Sequence, residues 1–163
     1  MNHIRHSIEL AAPVPAVFAY YADPANVARM APPQLNVRLV HGDSPVRLGS
    51  RVVFAIRPRM VPFDVKWTLE ISEFEKDRLF VDRLRSGPFA HWVHRHLFDE
   101  VRPGVTRVTD EIEFGAPVPL FSWVVRTGFV QDRLRELFAF REQVLRDEFE
   151  SSGRREGEAA SSP

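Results

Sequence analysis

The stretch Asp64-Val65-Lys66-Trp67-Thr68-Leu69-Glu70-Ile71-Ser72 within 64–73 alternates without a fault, Val65, Trp67, Leu69 and Ile71 interleaving with Asp64, Lys66, Thr68, Glu70 and Ser72. Residues two apart on a strand share a face, so this pattern describes a strand with one face buried and one wet. Such strands belong to antiparallel sheets covered on one side. Upstream, Leu35, Val37 and Leu39 alternate with Asn36 and Arg38 until His41-Gly42-Asp43-Ser44-Pro45 turns the chain, and Val52, Phe54 and Ile56 alternate again. Downstream, strands are predicted at 78–85, 91–102 and 106–115, set apart by Ser86-Gly87-Pro88 and Pro103-Gly104. A first strand is predicted at 3–11, with Ile4, Ile8 and Leu10 on one parity.

The period changes near residue 118. Val130, Leu134, Leu137, Phe138, Val144, Leu145 and Phe149 recur at helical spacing, with Arg133, Glu136, Glu142 and Arg146 between them. This predicts an amphipathic helix over 129–149, whose apolar stripe has only the buried face of the sheet to cover. Two short helices are predicted between the first and second strands. One carries Val17, Phe18 and Tyr21; the other starts at Asp23-Pro24, where Asp caps the free amides and Pro suits the first turn, and ends near Met30. After Phe149 the residues from Glu150 to Pro163 offer nothing to bury. They read as a disordered tail, which leaves 1–149 as the folded domain. Sequential strands pair most simply without parallel crossovers. The expected fold is therefore α+β, a curved seven-stranded antiparallel sheet wrapped around the long C-terminal helix.

Bulk properties narrow the function. Lys plus Arg and Asp plus Glu both number 22 in 163 residues, so no global field recruits nucleic acid or an anionic membrane. The absence of cysteine excludes disulfides, thiolate metal sites and a cysteine nucleophile. Met1-Asn2-His3-Ile4-Arg5-His6 lacks the apolar core of a signal peptide, and no apolar run has spanning length, so a cytoplasmic location without stable membrane insertion is expected. There is no glycine-rich phosphate loop, no nucleophile elbow and no interleaved basic-aromatic surface.

Several motifs resemble the SRPBCC superfamily, which holds START-related lipid carriers, pollen-allergen-like proteins and polyketide cyclase/dehydrases. Ile8-Glu9-Leu10-Ala11-Ala12-Pro13 followed by Val17-Phe18 is similar to that superfamily's first strand and helix. Phe80-Val81-Asp82, the run from Gly87 to Phe98 with its Trp92-x-His94-x-His96-x-Phe98 core, Asp110 to Phe114, and Phe138-Ala139-Phe140-Arg141 resemble a bacterial ligand-binding subgroup. The likeness spans about residues 3–148, and the Trp-x-His-x-His-x-Phe stretch is its most specific part. Members of that subgroup sometimes carry the label of cell-division inhibitor or cyclase/dehydrase, and neither label establishes an activity. The resemblance implies a helix-grip fold with a cavity between sheet and last helix for a small hydrophobic or aromatic molecule, and it implies no metal or other cofactor.

Strand parity places Trp92, His94, His96 and Phe98 on one face, with His91, Val93, Arg95 and Leu97 as the alternative. On the next strand Val108, Ile112 and Phe114 oppose Arg107, Glu111 and Glu113, which puts Asp110 on the buried side. A strict two-residue loop at Pro103-Gly104 would pair Leu97 with Asp110; an odd-length loop or a bulge sets His96 opposite or diagonal to Asp110 instead. A five-residue loop over 86–90 pairs Asp82 with His94 and Phe80 with His96. The resulting candidate site is a polar cluster of Asp82, His94, His96 and Asp110 within a shell of Trp67, Phe80, Trp92, Phe98 and Ile112.

Carboxylates beside imidazoles can orient a ligand's hydroxyl or carbonyl, or move a proton in a cyclisation or dehydration. They can also simply satisfy one another in a core. His94-x-His96 with Asp82 or Asp110 is a zinc-compatible set, although no metal is expected. The strip Pro117-Val118-Pro119-Leu120-Phe121-Ser122-Trp123-Val124-Val125 reads as a lead into the last helix, a cavity mouth, a homodimer patch or a membrane-touching edge. Three functions follow: a carrier or sensor of a small apolar molecule, a cyclase or dehydratase using an Asp-His pair, and an interaction protein acting through that strip.

Overall fold

In the computed structural model, which describes residues 1–59, 61–115 and 127–159, seven strands form one sheet in the order β1-β7-β6-β5-β4-β3-β2. The strands are β1 (Asn2–Leu10), β2 (Val37–His41), β3 (Arg51–Ile56), β4 (Val65–Glu75), β5 (Leu79–Ser86), β6 (Trp92–Arg102) and β7 (Val105–Phe114). Every pairing is antiparallel, and β1 returns to the far edge to pair with β7. Between β1 and β2 lie α1 (Val14–Ala22), α2 (Ala25–Arg29) and a single 3-10 turn at Pro33–Leu35. Asp23 Oδ1 accepts the Ala25 amide at 3.1 Å in a local turn, but the N-cap position of α2 falls on Pro24, which offers no side-chain cap, so the Asp23 cap expected from the sequence is displaced by one residue. The apolar strip 117–125 lies outside the described residues.

The long helix α3 spans Thr127–Ala159. It runs past Phe149. No proline interrupts the segment before Pro163, and Arg154, Arg155 and Glu156 are good helix formers, so backbone bonding carries on although the segment has no apolar stripe.

Two apolar clusters fill the space between the sheet and the helices. One gathers Val17 and Phe18 of α1 with Phe80, Phe98, Val108 and Leu145; the other gathers Phe89, Trp92, Ile112 and Phe114 with Val130, Leu134 and Phe138 of α3. Each long element contributes to both. Along β6, Trp92 belongs to the second cluster and Phe98 to the first; along β7, Ile112 and Val108 divide in the same way; along α3, Phe138 and Leu145 do. The residues between those anchors are His94 and His96, Asp110, and Arg141. A polar layer therefore crosses the core between two apolar ones.

Candidate functional site

Register builds this layer. A bulge at Val101, between the pairs Glu100 with Thr106 and Arg102 with Val105, shifts β6 by one residue against β7 and sets His96 opposite Asp110. On the other side β5 pairs Phe80 with His96 and Asp82 with His94. Without the bulge the opposite parity of β6 would turn inward, carrying Arg95. With it, Arg95 reaches Glu113 at 3.0 Å on the outer face.

Asp110 lies at the centre. Its Oδ1 accepts from His94 Nε2 at 2.8 Å, stands 2.8 Å from His96 Nδ1 and faces Arg141 Nη1 at 3.5 Å. The His96 contact is a close ionic one, its alignment poorer than that of His94. Asp82 Oδ2 bonds His96 Nε2 at 3.1 Å and lies 3.9 Å from His94 Nδ1. The imidazole rings are 3.9 Å apart between centroids, and Phe80 covers His96 at 4.4 Å. Asp82, His94, His96, Asp110 and Arg141 are all buried, Asp110 at 2% exposure. Burying so many charges demands mutual compensation.

Electrostatics follow this geometry. Burial alone would raise the Asp110 carboxyl, but the histidine hydrogen bonds and the Arg141 charge prevail and hold it well below the usual range. Burial also opposes a charge on His96; contact with both carboxylates outweighs it and lifts His96 above the ordinary imidazole value. For His94, burial and then the neighbouring His96 charge prevail, and its pKa falls despite the bond to Asp110. His94 is thereby favoured as neutral, with its proton on Nε2 toward Asp110.

All nine residues singled out from the sequence lie on the side of the sheet that faces α1 and α3. Phe80, Trp92, Phe98 and Ile112 are buried walls, and Trp67 is a half-buried one, meeting Trp92 edge-on at 5.0 Å between ring centroids. Two further residues complete the layer. Arg141 occupies the apolar stripe of α3, in phase with Leu134, Phe138 and Leu145, and a charge in that register was the signal to find it. Tyr21 comes from the buried face of α1, its ring 5.7 Å from His96. The Tyr21 hydroxyl is buried beside Arg141 and Asp110, its contact with Arg141 falling short of a well-formed hydrogen bond. Burial and the Asp110 charge hold its pKa well above the phenolic norm. Asp82 Oδ1 and Arg141 Nε are likewise buried without a hydrogen-bond partner.

Two surface grooves lie elsewhere. One of about 480 Å³ runs past Pro33, Asn36, Arg57 and Arg59, and one of about 370 Å³ lies between β1 and α3 beside His6, Phe138 and Glu142. Neither is lined by the polar layer. Among the described residues no helix is long and apolar enough to cross a membrane.

Comparison with known proteins agrees with this architecture. The family model described as polyketide cyclase / dehydrase and lipid transport matches residues 1–145. No curated protein matches the chain in sequence. Among solved structures, a START superfamily protein from Mycobacterium smegmatis superposes with a TM-score of 0.67 at 12% identity, over 91% of this chain and 97% of that one. The Zhui aromatase/cyclase from a Streptomyces species gives 0.63 at 16% identity, over 91% and 93%. A nucleoside-diphosphate sugar epimerase from Corynebacterium glutamicum gives 0.64 at 20% identity, over 93% of this chain but 30% of that longer one. At such identities these likenesses speak for the fold alone.

Proposed function

The chain belongs to the polyketide cyclase/dehydrase and lipid-transport family, and from that premise we propose that it is a carrier or sensor, binding a small, largely apolar or aromatic molecule between the sheet and α3. The observation that carries this reading is the set of unpartnered polar atoms inside an aromatic shell. The Tyr21 hydroxyl, Asp82 Oδ1 and Arg141 Nε are buried without a well-formed hydrogen bond. Leaving such atoms unpaired costs about 1–3 kcal/mol each. A ligand presenting one oxygen function to the layer and hydrocarbon to Phe80, Trp92 and Phe98 would recover part of that cost.

A second reading uses the same groups for chemistry. A neutral His94 held by Asp110 is suited to accept a proton, and His96 between two carboxylates is suited to donate one, the pairing a cyclase or dehydratase needs. The third reading, an interaction protein, rests on the 117–125 strip, which lies outside the described residues.

Native mass spectrometry of freshly purified protein, followed by titration with an apolar fluorescent probe, tests the binding reading. We expect a co-purified small molecule or saturable one-to-one probe binding that quenches Trp67 and Trp92. A chain that carries nothing and binds no apolar probe saturably would overturn it. Turnover of a bound polyketide-like substrate, lost on His94→Gln, would replace the carrier reading with the enzymatic one.

A further inference from the structure

The polar layer contains two imidazoles held in one unusual way. Each turns one ring nitrogen to Asp110 and the other to Asp82: His94 presents Nε2 to Asp110 at 2.8 Å and Nδ1 toward Asp82 at 3.9 Å, and His96 presents Nδ1 to Asp110 at 2.8 Å and Nε2 to Asp82 at 3.1 Å. Asp110 is further anchored by Arg141. Without an ion, His96 Nε2 donates its proton to Asp82 Oδ2; a bound ion would displace that proton, and with the ring protons then on the Asp110 side both remaining nitrogens face the Asp82 carboxylate.

We propose that Asp82, His94 and His96 form a binding site for a first-row divalent transition metal, with Asp110 as the carboxylate that orients both histidines. One donor atom from each of the three residues lies within 4.8 Å of the others, so contraction of less than 2 Å brings them to common bonding distance from one ion. A second observation points the same way: Asp82 is 7% exposed, and its Oδ1 has no hydrogen-bond partner, leaving a buried carboxylate oxygen for the ion. Metal-binding histidines regularly donate their remaining N–H to a carboxylate, which fixes tautomer and ring plane, and here one carboxylate stands beside both. Two imidazoles and one carboxylate suit zinc or a similar ion and not magnesium or calcium, which take oxygen donors. Three protein ligands leave a coordination position open. This site departs from the metal-free cavity expected from the family resemblance.

Zinc itself is the probe. Protein stripped by a chelator is titrated calorimetrically with zinc, and the histidine nitrogens are followed by long-range proton–nitrogen correlation spectra. We expect one zinc per chain, a zinc-dependent rise in Tm, and metal shifts at Nδ1 of His94 and Nε2 of His96. His94→Ala, His96→Ala and Asp82→Asn should each weaken binding at least tenfold, and Asp110→Asn by roughly 10- to 100-fold. The exposed His3→Gln and His41→Gln variants should bind as the parent does. Because a core variant can fail to fold, the spectra of the unaltered protein decide by themselves. No zinc binding by the stripped parent, or shifts confined to His3, His41 or His91, would overturn the site. Failure here leaves the apolar-ligand reading standing, since that one is read by probe occupancy and not by zinc.

Discussion

Tyr21 and Arg141 show how differently two buried polar side chains can contribute. Arg141 faces a carboxylate whose charge is already forced on it by two histidines. Removing the guanidinium leaves that negative charge with less compensation in a medium that screens poorly. We expect Arg141→Met to destabilise by about 2 kcal/mol or more in urea unfolding. In a double-mutant cycle it should couple with Asp110→Asn by roughly 0.5–3 kcal/mol. Additive effects would show that Arg141 acts by packing alone. The Tyr21 hydroxyl, by contrast, has no well-formed hydrogen bond to lose. Tyr21→Phe should change stability by less than about 1 kcal/mol, in either direction, because it removes an unsatisfied group and not a bond. If that hydroxyl serves a ligand, the same substitution should weaken apolar-probe or ligand affinity severalfold. A large stability loss would instead reveal a partner for the hydroxyl within the protein.

At the scale of elements, the single extra residue at Val101 decides which face of β6 meets the helix. Deleting Val101 would restore the plain two-residue hairpin at Pro103-Gly104 and bring Leu97 opposite Asp110, with Arg95 inward and the histidines out. We expect the deletion to abolish cooperative unfolding, seen as loss of near-ultraviolet circular dichroism. A deletion variant that melts like the parent would mean the bulge does not set the register. This residue also marks how far the sequence could be read. Period-two alternation fixed which residues of β4 and β7 share a face, and loop length from 86 to 90 paired Asp82 with His94, as the structure has it. The choice between the faces of β6 stayed open, because a bulge leaves no mark in hydropathy. The phase of Arg141 with Leu134, Phe138 and Leu145 marks it as inward, but its meeting with Tyr21 and Asp110 depends on how α1 and α3 lie across the sheet, a matter of tertiary packing. The stretch of α3 past Phe149 is polar and without proline, and has no apolar pattern to announce it. Its last turns should still be dispensable. Arg146 meets Glu150 at 3.0 Å on the surface, and the residues from Ser151 on are small or charged. Truncation after Glu150 should move Tm by less than about 3 °C, the shift of roughly 1 kcal/mol in a chain of this size. A larger drop would show that the last turns dock.

Across the whole molecule, the polar layer divides what would otherwise be a continuous apolar core spanning α1, the sheet and α3. Folding alone does not ask for it. A buried ion network loses the hydration of every member, and its mutual attractions often do no better than restore the balance. Replacing one member strands the others, but replacing all of them with apolar groups of similar volume removes the desolvation cost together with the attraction. We therefore expect a fivefold variant, Asp82→Leu, His94→Leu, His96→Leu, Asp110→Leu and Arg141→Met, to be at least as stable as the parent, by about 0–4 kcal/mol in urea unfolding. The same variant should lose zinc binding and any polar discrimination among apolar ligands. That combination would place the layer among features retained for function at the expense of stability. The opposite result, a fivefold variant several kcal/mol weaker that still binds apolar probes as the parent does, would assign the layer to fold specification. The two apolar clusters, joined through Trp67 and Leu69, would then be the ligand site by themselves.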